Sequence, residues 1–364
     1  MDAIIDETIS PGRLRRIPGR LPAGPALAAL AAVSLAAFVF AVGKGAYAIA
    51  PAQVIAILAQ QVGVSLPFEF DAQDQAVLLG IRLPRVLLAV LTGAGLALAG
   101  AALQGLFRNP LADPTLIGVS GGATAGVALV IVLGATLAPG LSKTLGALTL
   151  PVAAFLGGLA ATSTIYVLAK SGARTVLVTL LLAGIAINAL AMAVIGLCTY
   201  LANDEQLRNL AFWNLGSLSP ASWPTLSAIA APLLAAFVFL SRLAAPLNAL
   251  LIGEREANHL GVNVQAIKRR TVVLSALTVG FLVAVTGNIF FVALLAPHMV
   301  RLACGPDHRV VMPGSMLTGA ILVMLADATA RTVVAPAELP LGVVTSLIGA
   351  PFFLWLLLRK KTSL

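Results

Sequence analysis

Three kinds of residue in this chain could carry chemistry: a serine in a glycine-rich motif, a lone acidic residue among apolar ones, and histidines. Ser120 lies in Gly118-Val119-Ser120-Gly121-Gly122, which matches the Gly-x-Ser-x-Gly pattern of serine hydrolases. That pattern requires a strand, a turn and a helix, whereas Ser120 begins an apolar stretch of helical length. We therefore interpret Gly118, Gly122 and Gly126 as positions where two helices pack closely, and a membrane hydrolase as a remote alternative.

Asp327 is the acidic residue that looks most buried, within Leu-Ala-Asp-Ala-Thr-Ala-Arg. Ionisable groups inside membrane spans often form proton relays, but a relay normally needs several of them. Asp327 precedes Arg331 by four residues, which is the favourable order for a helical ion pair, so we predict that these two side chains pair. The three histidines and six methionines show no cluster of metal ligands, so the sequence predicts neither a metal site nor a catalytic residue.

The composition is that of a membrane protein. Hydrophobic residues make up 59% of the 364 residues and charged residues only 10%, with a mean hydropathy of +1.00. A soluble domain has about a quarter charged residues, so a soluble enzyme, a disordered protein and a nucleic-acid binder are poor interpretations. The string nearest to a phosphate-binding loop, Gly43-Lys44-Gly45, lacks the first glycine and the hydroxyl residue, which predicts that this chain does not itself bind ATP.

Nine stretches without Asp, Glu, Lys or Arg are the candidate membrane spans. Each is long enough, or nearly so, to cross about 30 Å of hydrocarbon as a helix, which takes roughly 20 residues. Helices are expected because lipid offers no hydrogen-bond partners to an open backbone. The stretches are 21–43, 86–107, 114–142, 144–169, 175–203, 209–241, 271–300, 310–326 and 339–358.

The number of crossings depends on the stretch 271–300, which Gly287-Asn288 interrupts. If this stretch is a re-entrant or double pass, ten crossings place 17 of the 23 basic residues on the cytoplasmic side. A single pass would divide them 13 against 10. Because Lys and Arg accumulate on cytoplasmic loops, we predict about ten spans with both termini cytoplasmic. The net charge of +9 then follows from topology and does not indicate a nucleic-acid partner.

The same map predicts the domain organisation. Residues 1–25 carry four arginines before the first apolar stretch, and we interpret them as a cytoplasmic tail rather than a cleaved signal peptide. Residues 26–358 form one transmembrane domain, with a cytoplasmic loop over 242–270, and residues 359–364 form a second cytoplasmic tail.

Four motifs, in order and at this spacing, carry a family resemblance from about residue 80 to 358. The chain resembles the FecCD permeases, the membrane subunits of type II ATP-binding-cassette (ABC) importers for vitamin B12, ferric siderophores and haem. One departure is Ala293, where the family usually has glycine, which affects packing near the inner gate. The motifs are Ile81-Arg82-Leu83-Pro84-Arg85 with Gln104 to Pro114, Leu251 to Val262, Pro297 to Arg301 with Asp307-His308-Arg309, and Ala326 to Arg331 with Glu338 to Gly342 and Gly349 to Phe353.

The resemblance assigns roles to residues at both ends of the bundle. Arg82, Arg85 and Arg331 match the arginines on which the family's periplasmic binding protein docks through glutamates. Arginine forks pair with carboxylates through two hydrogen bonds, although arginines also anchor helix ends at the membrane interface. The resemblance further implies a coupling helix that contacts the ATPase, formed by Gly253, Glu254, Arg255, Glu256, Ala257, Leu260 and Gly261. Inner-gate candidates are Asn109, Pro110, Pro297 and His298; a haem-ligand role for His298 is a weaker alternative.

The resemblance also implies partners and a location. The expected assembly, in the bacterial inner membrane, comprises a second copy of the chain, two ATPase subunits that use ATP and Mg, and one periplasmic substrate-binding protein. No cofactor is expected on this chain. Spans rich in Ala, Gly, Leu and Val suit a large apolar iron compound, so haem is favoured over a ferric siderophore. A cobalamin permease and an ion-coupled secondary transporter remain the alternatives.

Overall fold

A computed structural model of the chain describes residues 21–361 except 46, 138–139, 141–143 and 173. The predicted tail of residues 1–25 and the last residues of the tail 359–364 thus lie largely outside the described residues. A two-stranded antiparallel hairpin joins Lys170–Ser171 (β1) to Arg174–Thr175 (β2). The helices are α1 Ala23–Gly43, α2 Pro51–Gln61, α3 Ala72–Val77, α4 Leu83–Phe107, α5 Val119–Leu137, α6 Thr149–Leu168, α7 Leu177–Leu201, α8 Asp204–Asn214, α9 Trp223–Ser241, α10 Ala244–Ile252, α11 Glu254–His259, α12 Val264–Thr286, α13 Val292–Cys304, α14 His308–Ala330 and α15 Leu341–Lys361.

The apolar helices confirm an all-α polytopic fold of about ten spans. Within the described residues, seven stretches of helix are long and apolar enough to cross a membrane, and three shorter apolar helices accompany them. The long ones are Ala23–Gly43, Ala72–Phe107, Gly146–Leu168, Leu177–Leu201, Trp223–Ser241, Val264–Thr286 and His308–Ala330, and the shorter ones are Val119–Gly134, Val292–Cys304 and Leu341–Leu356.

The stretch 271–300 is interrupted where the sequence predicts. Helix α12 ends at Thr286, and Gly287 follows with φ of 67°, a conformation that costs glycine little. The backbone stays irregular until Phe291, whose φ of 66° is unusual for an aromatic residue, and α13 then begins at Val292. The side chain of Asn288 attaches this irregular segment to its neighbours, since its amide donates to Thr124 Oγ1 at 2.8 Å and to Asn214 Oδ1 at 2.7 Å.

Helix α4 lies at the centre of the bundle, and α7 lies at its edge. In the most apolar part of the segment Ala72–Phe107, 83% of the residues are buried, against 22% in α7. Small residues let the neighbours of α4 approach closely, because a Cβ on Gly93 would overlap the carbonyl of Gly319 in α14. Similarly, a Cβ on Gly100 would overlap the carbonyl of Ala293 in α13. The predicted glycine packing is also confirmed in α5, where Gly122 faces Gly157 of α6.

We expect Gly93→Ala to destabilise the fold, because the added methyl group overlaps the backbone of Gly319. Overpacking of this kind costs about 1–3 kcal/mol, so the apparent melting temperature in detergent should fall by several degrees. Gly280→Ala is the matched control, since its methyl group would only reach van der Waals contact with Phe155. Equal melting temperatures for the two variants would contradict the close approach of α4 and α14.

Candidate docking and coupling sites

Two of the three predicted docking arginines fasten the end of α1. Arg82 Nη1 donates to the carbonyl of Gly43 at 2.6 Å and to that of Val42 at 3.2 Å. Arg331 donates to the carbonyls of Lys44 and Ala41, at 2.9 and 3.0 Å. The last carbonyls of a helix have no partner within the helix, and their negative dipole end favours cations. Arg82 and Arg331 are only 5% and 8% exposed, so the structure gives both a role in holding α1.

Arg85 is the third docking arginine, and it binds two carboxylates of its own chain. Its two Nη atoms each lie 2.9 Å from a different oxygen of Glu338, which makes a bidentate pair. Its Nε donates to Asp327 Oδ1 at 3.0 Å. Asp327 Oδ2 lies 2.9 Å from Arg331 Nε, which confirms the predicted i,i+4 pair, although the two atoms are not aligned for a hydrogen bond. Asp327 is therefore shared between Arg85 and Arg331, a contact that the sequence does not reveal.

Exposure differs sharply across this cluster of Arg82, Arg85, Asp327, Arg331 and Glu338, here called the arginine cluster. The side chain of Asp327 is 2% exposed, whereas that of Glu338 is 40% exposed. The hydrogen bonds from Arg85 lower the pKa of Glu338 below its ordinary value. The Arg85–Glu338 pair therefore persists above the ordinary carboxyl pKa and is lost only as the pH falls through the lowered one.

A local change of helix geometry places Arg82 and Arg85. Residues Leu78–Arg82 form a π-helical turn between α3 and α4, and such turns often mark functional sites. The indole of Trp223, at the start of α9, donates to the carbonyl of Leu79 within this turn at 3.0 Å. Apolar periodicity gives no signal for such a turn, so the sequence analysis missed it.

The opposite end of the bundle carries the predicted coupling helix, and its boundaries are confirmed. Helix α11, Glu254–His259, follows Gly253, whose φ is 150°. It is followed by Gly261, whose φ is 81°. The carboxylate of Glu256 beside Gly253 is flexible and could move away from an added Cβ, so the φ of 150° is what favours glycine there. The residues assigned to coupling therefore form one compact unit.

These coupling residues divide into an inner and an outer face. Ala257 is fully buried, and Glu254 pairs with the buried Lys268 at 2.7 Å. Lys268 Nζ also donates to the carbonyl of Thr175 at 3.0 Å, which attaches α11 to α12 and the hairpin. Arg255, Glu256, Leu260 and Gly261 are exposed, and Leu260 is 66% exposed, so the outer face offers an apolar side chain between charged ones.

A second polar contact links the loop to α14. Asn248 of α10 accepts from the backbone N–H of His308 and contacts its ring Nδ1, both at 2.9 Å. The Asn248 amide donates to Asp307 Oδ1 at 2.6 Å, while the same carboxylate caps the start of α14. The sequence analysis quoted Asp307 and His308 as a motif but did not find Asn248, because a single asparagine in an apolar helix carries no spacing signal.

The inner-gate candidates fall into two separate places. Asn109 and Pro110 are exposed in the turn after α4, where Asn109 Oδ1 accepts from the N–H of Leu111 at 2.9 Å. Pro297 and His298 are buried within α13, and the His298 ring packs against Phe352 and Phe353. Gln104 joins these regions, since it donates to the carbonyl of Leu294 and accepts from Arg301 at 2.5 Å. Within the described residues, these four side chains do not come together at one place, so the gate role stays a prediction.

The chemical alternatives find no support in the geometry. Among the described residues, no group of three or more His, Cys, Asp or Glu side chains could hold a metal ion. Ser120 is reached through a 3₁₀ turn, Pro114–Ile117, and Gly118, rather than through a strand. The strand–turn–helix context of a hydrolase is therefore missing at Ser120.

Comparison with known proteins identifies the family of the chain. A model of the FecCD transport family matches residues 33–359. The chain belongs to the FecCD transport family. It is 48% identical to the hemin transport system permease protein HmuU of Yersinia pestis, over 78% of this chain and 83% of that protein. It is 38% identical to the vitamin B12 import system permease protein BtuC of Vibrio cholerae, over 85% of this chain and 91% of that protein.

The fold comparison agrees with the sequence comparisons. A solved chain described as an inward-facing, metal-chelate type ABC transporter is 32% identical, with a TM-score of 0.78. The alignment covers 92% of this chain and 98% of that chain. The FecCD chain is thus a multi-pass membrane permease of ABC import systems, which is not itself an enzyme and works with a separate ATPase.

We expect Asp327→Asn to destabilise this FecCD permease far more than Glu338→Gln, although each removes one negative charge. The first leaves Arg85 and Arg331 without the buried charge they share, and breaking a buried pair costs about 3–5 kcal/mol. The second removes a partly exposed pair, which contributes at most about 1 kcal/mol. Thermal unfolding in detergent measures both, and equal losses would show that burial of Asp327 does not matter.

Proposed function

We propose that this chain is the membrane-spanning subunit of an ATP-driven importer that carries haem across the bacterial inner membrane. The observation that carries the proposal is the 48% identity with the hemin permease HmuU over most of both chains. The matching vitamin B12 permeases are about ten percentage points less identical to the chain. A spanning region rich in Ala, Gly, Leu and Val suits a large planar apolar cargo, which needs passage without tight binding.

The proposed assembly contains two copies of this chain, two ATPase subunits and one periplasmic substrate-binding protein. The arginine cluster faces the periplasm and α11 faces the cytoplasm, with both termini on the cytoplasmic side. ATP and Mg are bound by the ATPase, and this chain holds no cofactor. The broad exposed apolar face of α7, which includes Leu182 and Ile185, supports contact with lipid or with the second copy.

The coupling helix α11 transmits motion from the ATPase to the spans. Arg255, Glu256 and Leu260 form the outer face for the ATPase, while Glu254 and Ala257 fix the helix to the bundle. Movement of α10 and α11 reaches α14 through Asn248 and His308. Helix α14 ends beside the arginine cluster, so one rigid element joins the ATPase side to the docking side.

Docking of the binding protein uses the arginine cluster, with Arg85 as the directly available member. Arg82 and Arg331 hold α1 and contribute positive potential, which steers an acidic partner during encounter. Glu338 occupies the fork of Arg85 in the absence of the partner. Docking therefore exchanges Glu338 for a carboxylate of the binding protein, without leaving Arg85 unpaired.

The transport proposal is tested by uptake in proteoliposomes that contain the permease, its ATPase and its binding protein. Haem, a ferric siderophore and cobalamin are offered in parallel, and we expect ATP-dependent accumulation of haem. Accumulation of cobalamin or the siderophore instead would overturn the cargo assignment but keep the importer. Accumulation without the ATPase would overturn the importer and revive an ion-coupled transporter.

A variant of the coupling helix sharpens this test. Leu260→Asp places a charge on the exposed apolar side chain of α11, so the ATPase should no longer copurify and ATP-dependent uptake should stop. Val62→Asp is the matched control, because Val62 is also an exposed apolar residue, at the end of α2 and outside the coupling helix. Retention of the ATPase by both variants would contradict the assignment of α11.

We expect Arg85→Lys to weaken binding of the binding protein, because lysine keeps the charge but cannot form the bidentate pair. Glu338→Gln should strengthen binding by up to about fivefold, because a partly exposed competing ion pair is removed. Both affinities are measured by biolayer interferometry on permease in nanodiscs, without ATP. Arg208→Gln, an exposed arginine of α8, serves as the control, and an unchanged affinity for all three variants would exclude Arg85 from docking.

A further inference from the structure

A groove of about 620 Å³ opens between α9, α10 and α12, at the end of the bundle that carries the coupling helix. Its walls come from the last turn of α9 and the first turns of α12, with Pro246 of α10 between them. The groove lies apart from the arginine cluster and from the exposed face of α11. None of the docking, coupling or gate residues lines it.

Three arginines stand at this groove: Arg242 after α9, and Arg269 and Arg270 in α12. All three are exposed, and the groove has no Asp or Glu in its lining. None of the three forms an ion pair with any residue that the structure describes. Their neighbour Lys268 points away and has its own partner in Glu254. Three cations thus surround one concavity without a counter-ion, although the chain pairs other cations nearby.

The rest of the groove is apolar and continues onto the outer surface of the spans. Phe239 is 52% exposed and Val273 is 44% exposed, and both line the groove. The guanidinium of Arg242 lies over the Phe239 ring, 5.6 Å from its centre, which fixes this charge at the boundary between the apolar and the polar parts. Along α9, Leu234 and Val238 extend the exposed apolar surface away from the arginines.

We propose that this groove binds an anionic phospholipid, with its phosphodiester among Arg242, Arg269 and Arg270 and an acyl chain beside Phe239 and Val273. Arginine is well suited to phosphate, and basic pockets between spanning helices bind anionic headgroups at membrane surfaces. Free phosphate would satisfy the arginines but would leave the apolar wall uncovered. The joint presence of both surfaces selects a lipid.

Arginines at helix ends also serve topology, without binding any particular lipid. Charges that only set topology require neither a groove nor an adjacent apolar surface. They also do not distinguish zwitterionic from anionic headgroups. Occupancy of the groove by one lipid species is therefore the property that separates the proposal from ordinary charge bias.

The test uses full-length permease purified in mild detergent and titrated with dioleoylphosphatidylglycerol, dioleoylphosphatidylcholine or soluble glycerol phosphate. Native mass spectrometry counts the molecules bound per chain. We expect one phosphatidylglycerol to be retained preferentially, with little retention of phosphatidylcholine or glycerol phosphate. Equal retention of the two lipids, or binding of glycerol phosphate as tight as that of the lipid, would overturn the proposal.

Two variants locate the lipid in the groove. The double substitution Arg269→Gln and Arg270→Gln should weaken retention roughly 30-fold, since each basic residue near an anionic headgroup contributes about a fivefold factor. Val273→Trp keeps the charges but fills the groove, and should also release the lipid. The matched control, Lys170→Gln with Arg309→Gln, removes two exposed charges at the same end and should retain it. Loss from the control, or retention by Val273→Trp, would show that the groove is not the site.

Discussion

The close backbone contact of Gly93 with Gly319 determines how the rest of the molecule is arranged. It joins α4 to α14 with no side chain between them, so these two buried helices are in direct backbone contact. Each helix brings an arginine to one end, Arg85 from α4 and Arg331 just after α14. Helical spacing places Arg331 beside Asp327, and the contact between the helices brings Arg85 to the same carboxylate. At its other end, α14 begins at His308, which contacts Asn248 of α10. One packing constraint thus positions both surfaces that we propose as sites for partners.

Charged residues are concentrated where α4 begins and α14 ends. A carboxylate as buried as Asp327 is costly unless it is paired, and two arginines share it. The outermost carboxylate, Glu338, completes the pairing and stays accessible. The cluster combines a buried part that fixes the helices with an exposed part that can exchange partners. The same residues can therefore support the fold and the proposed docking interface, and the two roles need not compete.

Much of the fold could be predicted from the sequence, because the bilayer restricts which segments can span it. Uncharged stretches of about 20 residues and the bias of basic residues predicted the spans, because lipid penalises charge and open backbone. The Gly287-Asn288 pair predicted the break, because it is unfavourable within a helix. The pairing of Asp327 with Arg331 followed from helical spacing. The contacts of Arg85 with Asp327, 242 residues apart, and of Asn248 with His308 did not, because they depend on how distant helices pack. The resemblance pointed to three arginines, and it could not show that two of them hold α1.

The attachment of α1 has a consequence for how the protein is made. The carbonyl of Ala41 is satisfied by Arg331, which is synthesised 290 residues later. At roughly 5–20 residues per second, translation of that interval takes about 15–60 s. During that time the carbonyl of Ala41, at the end of α1, lacks its arginine partner. The contact that holds the end of α1 can therefore form only after most of the chain has been synthesised.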